Sequence, residues 1–143
     1  MFEALGPIEL VLSGVTEVLL SAHTRAQDPE AVELVRDGLR RANRRMLRNA
    51  VISISLHRED LTNLLSEIAP PTLLITGSDH SGFTPAQAEA AARLIPNGRT
   101  AVVPNAAYLV PLEAPATSST LIREFWARCK ADHAQPTPNT FEV

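Results

Sequence analysis

Apolar residues are distributed unevenly along the chain, and the spacing changes character near its middle. Ile8 to Ala22 is the most apolar stretch, and it is expected to form a helix although some of its spacing alternates as in a strand. Asp28-Pro29-Glu30 reads as a helix start, with Asp as N-cap, Pro in the first turn and an acid near the positive end of the helix dipole. Val32, Val35, Leu39, Ala42, Met46 and Ala50 then recur at steps of three and four, which is one face of an amphipathic helix. Gly38 weakens that helix by about 1 kcal/mol relative to Ala, a cost a long helix tolerates. Ile52, Ile54 and Leu56 alternate with Ser53 and Ser55 in strand fashion. Leu61, Leu64, Leu65 and Ile68 return to helical spacing, so helix is expected through most of this region. Pro70-Pro71 ends it, since proline lacks the N–H and keeps its predecessor out of the α region.

Beyond the prolines the pattern is that of an α/β unit. Thr72-Leu73-Leu74-Ile75-Thr76 is short, β-branched and apolar on both faces, as a buried parallel strand requires. Thr84-Pro85-Ala86-Gln87 is a capping box with Pro at the first helical position, and it opens an Ala-rich helix to Ile95 with Glu89 and Arg93 four apart. Pro96-Asn97-Gly98 closes that helix before a second strand, Thr100 to Val103. Strand, helix and strand make a βαβ unit whose crossover is right-handed. A last helix places Leu121, Ile122, Phe125, Trp126 and Cys129 on one face, and both aromatics are expected in the core. The fold class is therefore α/β: a β-α-β-α lobe over residues 70–133, preceded by a helical segment over 1–69. Residues 134–143, with Pro136 and Pro138, are expected to be a disordered tail.

Composition narrows the function classes. At 143 residues the chain has room for one domain with a real core and little more. A net charge of −3 argues against nucleic acid as partner, because that binding neutralises phosphates with surplus Lys and Arg. Glu9 and Glu17 interrupt the longest apolar run, so no membrane partner is expected. Met1-Phe2-Glu3-Ala4 has no basic leader, and Cys129, the one cysteine, has nothing to pair with inside the chain; a cytoplasmic protein is expected. Arg36, Arg40, Arg44 and Arg48, with Arg41 and Arg45 beside them, are read as a solvated helix face ahead of an anion patch. His57 and Asp60 could offer two metal ligands, but no third presents itself, so neither a metal nor a cofactor is expected.

Ligands in open parallel sheets lie beyond the carboxyl ends of the strands. Two loops sit there, Gly77-Ser78-Asp79-His80-Ser81-Gly82 and Pro104-Asn105-Ala106-Ala107-Tyr108. The order Pro71-Thr72-Leu73-Leu74-Ile75-Thr76-Gly77, an acid two residues on, Thr84-Pro85, Ile95-Pro96, Val103-Pro104, Leu112-Glu113-x-Pro115 and Ile122-Arg123-Glu124-Phe125 resembles the C-terminal part of an α/β-hydrolase. The likeness covers roughly residues 60 to 130, and the helices before it resemble the end of that family's cap.

The resemblance implies an ester or C–C bond hydrolase and directs attention to a Ser-His-Asp triad. Asp79 is the one candidate for the acid; it follows Gly77 by two residues where the family has three, and His80 fills the usual slot. The family's histidine position, five residues before Glu113, holds Tyr108. An imidazole with an ordinary pKa of about 6.5 can take a serine proton near neutrality, whereas a phenol of about 10 cannot without a large shift. No Gly-x-Ser-x-Gly elbow occurs, so the nucleophile is missing too. The chain is thus expected to be a hydrolase fragment that begins after the family's sixth strand and is inactive alone; paired with a half that carries the nucleophile, it would still lack a base unless His80 moved into that role. Its partner would be an N-terminal hydrolase half. Asp79 as a plain turn residue and Tyr108 as a partly buried aromatic are the plainer alternatives. A non-catalytic module that self-associates through an exposed strand edge is the competing function, and a small-molecule pocket between the two loops a weaker third.

Overall fold

The computed structural model describes residues 8–53 and 59–134. The helical half is more broken than its periodicity suggests. Helix α1 (Ile8–Leu19) stops before Ser21, whose hydroxyl accepts the Thr24 N–H at 3.0 Å and starts α2 (Ala22–Gln27). Asp28 caps α3 (Pro29–Arg41) by accepting the Ala31 N–H at 2.9 Å. The long helix expected from Pro29 onward ends at Ala42, whose backbone turns extended (φ −64°, ψ 137°). Asn43 then accepts the N–H groups of Arg45 and Met46 with its side-chain oxygen and opens α4 (Arg44–Val51). Asn at an N-cap competes with helix continuation through this local bond, so an apolar stripe running through Asn43 does not mean one helix.

Met46 consequently stands 72% exposed instead of joining the core, and Arg40 and Arg41 pair with Asp37 on the outer face of α3. The helical spacing of Leu61 to Ile68 becomes a short 3₁₀ helix (Thr62–Glu67), started by Asp60, which accepts the Thr62 N–H at 2.9 Å. Ile54, Ser55, Leu56 and His57, residues 1–7 and the residues from Gln135 onward lie outside the described residues.

Strands β1 (Thr72–Gly77) and β2 (Gly98–Val103) pair in parallel, with Thr72 opposite Gly98 and Gly77 opposite Val103. Between them runs α5 (Pro85–Leu94), with its Thr84–Gln87 capping box formed in both directions. A one-turn helix α6 (Val110–Glu113) leads into α7 (Pro115–Ala134). Side chains alternate across the sheet, so the register sorts them by face. Ile75 and Val103 share the face packed by Leu121 of α7 together with Ala106 and Val110. The opposite face carries Thr76, whose hydroxyl donates to the Phe83 carbonyl at 2.9 Å just before α5. Trp126 was expected in the core but is 61% exposed, on the outer side of α7. Among the described residues no helix is long and apolar enough to cross a membrane.

Two glycines permit the close approaches this layering needs. A Cβ on Gly98 would stand 2.3 Å from the Ala92 carbonyl oxygen, and one on Gly77 would stand 2.1 Å from that of Ala106. Both obstacles are backbone, so neither can swing aside. Gly77→Ala is expected to lower stability by about 2–3 kcal/mol through forced overpacking, read as a lower urea midpoint at unchanged m-value.

Candidate functional site

The loops that leave β1 and β2 meet above the carboxyl ends of the two strands. Ser78 donates its N–H to the Val103 carbonyl at 2.9 Å, and Asp79 donates its N–H to that of Ala106 at 2.9 Å. The Ser78 hydroxyl oxygen accepts the Asn105 N–H at 3.0 Å. Asn105 itself takes a left-handed conformation (φ 57°), which Asn adopts more readily than most residues with a side chain.

Glu113 is the centre of this region. One carboxylate oxygen accepts the Ala107 N–H at 2.7 Å; the other accepts the Ser21 N–H at 2.7 Å and the Thr24 hydroxyl at 2.8 Å. Ser21 adds a donated bond from its hydroxyl to the Asn105 carbonyl at 2.7 Å. A single side chain thus ties the start of α2 to the loop after β2, across 92 and 89 positions of sequence. Ser21 and Thr24, both buried, are site-shaping residues that sequence reasoning passed over. The available signal was Ser21 as a helix N-cap inside the apolar run.

The residues singled out from sequence divide into a contacting pair and an outlier. The rings of His80 and Tyr108 stack with centroids 3.7 Å apart and planes 27° apart. His80 Nδ1 accepts the Phe83 N–H at 2.7 Å, and Phe83 meets the imidazole edge-on at 6.4 Å. Asp79 is exposed, and its carboxylate accepts the neighbouring Ser78 hydroxyl at 2.8 Å; among the described residues neither ring reaches it. Tyr108 is 40% exposed, and its hydroxyl has no hydrogen-bond partner among the described residues. No cluster of three or more His, Cys, Asp or Glu suited to a metal occurs among the described residues.

No protein-family model matches the sequence, and no curated protein does. Solved structures match over most of the chain. An esterase from Thermogutta terrifontis superposes with a TM-score of 0.78 at 28% identity, over 88% of this chain and 46% of the esterase. An enol-lactonase from Burkholderia xenovorans gives a TM-score of 0.73 at 18% identity, over 86% of this chain and 46% of the lactonase. Est816, an N-acyl homoserine lactone degrading enzyme, gives 0.69 at 21% identity, over 84% and 48% of the two chains. The fold is that of the C-terminal portion of an α/β-hydrolase.

The chain spans about half the length of the solved structures it matches. Within the α/β-hydrolase frame, Asp79 and Tyr108 occupy the two loops in which the resemblance looks for the triad's acid and base. The scaffold that holds these loops is fully bonded through Glu113, Ser21 and Asn105.

Stability should distinguish the scaffold from the rings it carries. Glu113→Ala leaves the Ser21 and Ala107 N–H groups without their acceptor and is expected to cost about 3 kcal/mol. Glu113→Gln turns one accepting oxygen into a donor facing a donor and is expected to cost about 2 kcal/mol. Tyr108→Phe removes a hydroxyl with no partner and is expected to stay within about 0.5 kcal/mol of the parent in the same urea titration.

Proposed function

We propose that the chain is the C-terminal lobe of a hydrolase for carboxylic esters or lactones, and that it catalyses no hydrolysis by itself. The observation that carries this reading is the bonding of His80. A backbone N–H can only donate, so the bond from Phe83 makes Nδ1 the acceptor and puts the proton of the neutral ring on Nε2. The imidazole then has no lone pair left to take a proton from a hydroxyl. Tyr108 covers one face of the same ring, and Asp79 is bonded to Ser78 instead of orienting the imidazole. The substrate class is supported by the ester- and lactone-cleaving structures the chain resembles.

The sheet supports a partner for this lobe. The Thr72 and Ser78 N–H groups both point to the β2 side, and in a parallel ladder the residues between them alternate. The backbone groups of Leu73 and Ile75 therefore face the other edge of β1, where no strand pairs among the described residues. A hydrolase half bearing the nucleophile would add its strand there. The same open edge supports the second reading, a non-catalytic module in which a copy of the chain takes that place.

The purified chain is expected to hydrolyse p-nitrophenyl acetate and butyrate no faster than buffer and to take up no fluorophosphonate label. Turnover that disappears on mutation of one of its own serines would overturn the proposal. Sedimentation velocity at micromolar concentration separates the two readings: a compact monomer removes self-association, and a defined dimer with no esterase activity favours it.

A further inference from the structure

At the end of the sheet opposite the candidate site, a groove of about 290 Å³ runs between the strand starts and the last turns of α7. Its lining is more polar than apolar: Pro71, Pro96 and Phe125 supply the apolar part, and Arg99 of β2 and Arg128 of α7 are its two cationic residues. Both arginines are exposed, and among the described residues neither has an ion-pair or hydrogen-bond partner. Arg25, Arg40, Arg41 and Arg93 each pair with a carboxylate, whereas Arg45 and Arg123 share with Arg99 and Arg128 the lack of an ion pair among the described residues but do not line this groove. Asp132 also borders the groove, so its lining carries two positive charges against one negative.

We infer that this groove binds a small carboxylate with an apolar or aromatic body. A guanidinium presents paired N–H donors that match the two oxygens of a carboxylate, and the proline and phenylalanine surface takes the rest of such a ligand. A single surplus positive charge suits a monoanion better than phosphate, which Asp132 would repel more strongly. The volume is at the small end of ligand sites and holds one ring with a short substituent. The site lies at the amino ends of the strands, and it does not depend on the hydrolase reading.

Cys129 lines the same groove, is half-buried, and is the chain's one cysteine, so its alkylation reports occupancy directly. The full chain is treated with iodoacetamide at fixed ionic strength, with benzoate or its neutral isostere benzamide present, and carbamidomethylation of Cys129 is followed by mass spectrometry. With a Kd on the order of 1 mM, about 10 mM benzoate should slow alkylation roughly tenfold. Benzamide should leave the rate within about twofold, because it brings no charge to the arginines. The Arg99→Gln/Arg128→Gln variant should lose the benzoate effect while keeping the parent's urea midpoint, since both side chains are exposed. Equal protection by benzamide, equal protection in the double variant, or no protection by benzoate would each overturn the inference.

Discussion

The carboxylate of Glu113 is the constraint on which the rest of the fold leans. It accepts two backbone N–H groups and a hydroxyl from three places in the chain, at 2.7 to 2.8 Å. Bonds of this kind to an ionised acceptor are about twice as strong as neutral ones. One of them gives the buried Ser21 N–H at the start of α2 its acceptor, while the Thr24 N–H is capped locally by the Ser21 hydroxyl. From Glu113 the bonding continues through the Ser21 hydroxyl to Asn105, through Asn105 to Ser78, and through Ser78 to Val103 at the end of β2. The start of α2 and both strand-end loops are therefore parts of one hydrogen-bonded belt. Moving either loop would break bonds in the other.

That belt also places the two rings. Tyr108 follows Ala107, whose N–H Glu113 holds, and His80 closes a turn on the Gly77 carbonyl. The stacked contact between them is the outcome of two fixed backbones. Aromatic stacking contributes about 1 kcal/mol, less than the cost of leaving either buried N–H at Glu113 unpaired. The rings thus follow the backbone and do not direct it. A tight approach makes this possible: the space where Gly82 would carry a Cβ is taken by the Tyr108 hydroxyl.

The β-α-β-α lobe was legible in sequence because its signals are local. A capping box, a Pro at the first helical position and apolar pentads act within a few residues, and the elements formed within two residues of where those signals put them. The helical half was legible only in kind. Its breaks at Ser21 and Asn43 come from side chains that hydrogen-bond the backbone, and the first of them is reinforced by Glu113, 92 positions away. Periodicity cannot register a partner at that distance. Trp126 shows the opposite error, since a helix face read as continuous carries a ring that stays in solvent. At the candidate site the positions of Asp79, His80 and Tyr108 were legible and their bonding was not. Which nitrogen of His80 accepts depends on the fold of Phe83 back over the ring.

The scaffold and the chemistry of such a lobe are under different physical constraints. Removing the glycine at 77 or the carboxylate at 113 forces backbone against backbone or strands buried donors, so any chain that keeps this fold must keep close equivalents there. Position 108 is half open to solvent and asks only for a flat ring that covers His80. An imidazole or a phenol meets that requirement equally well. Folding therefore leaves the identity of that ring open, while it protects the loop that presents it. The pairing of β1 with β2 is equally indifferent to that ring, because it is made by backbone groups whose register position 108 does not enter.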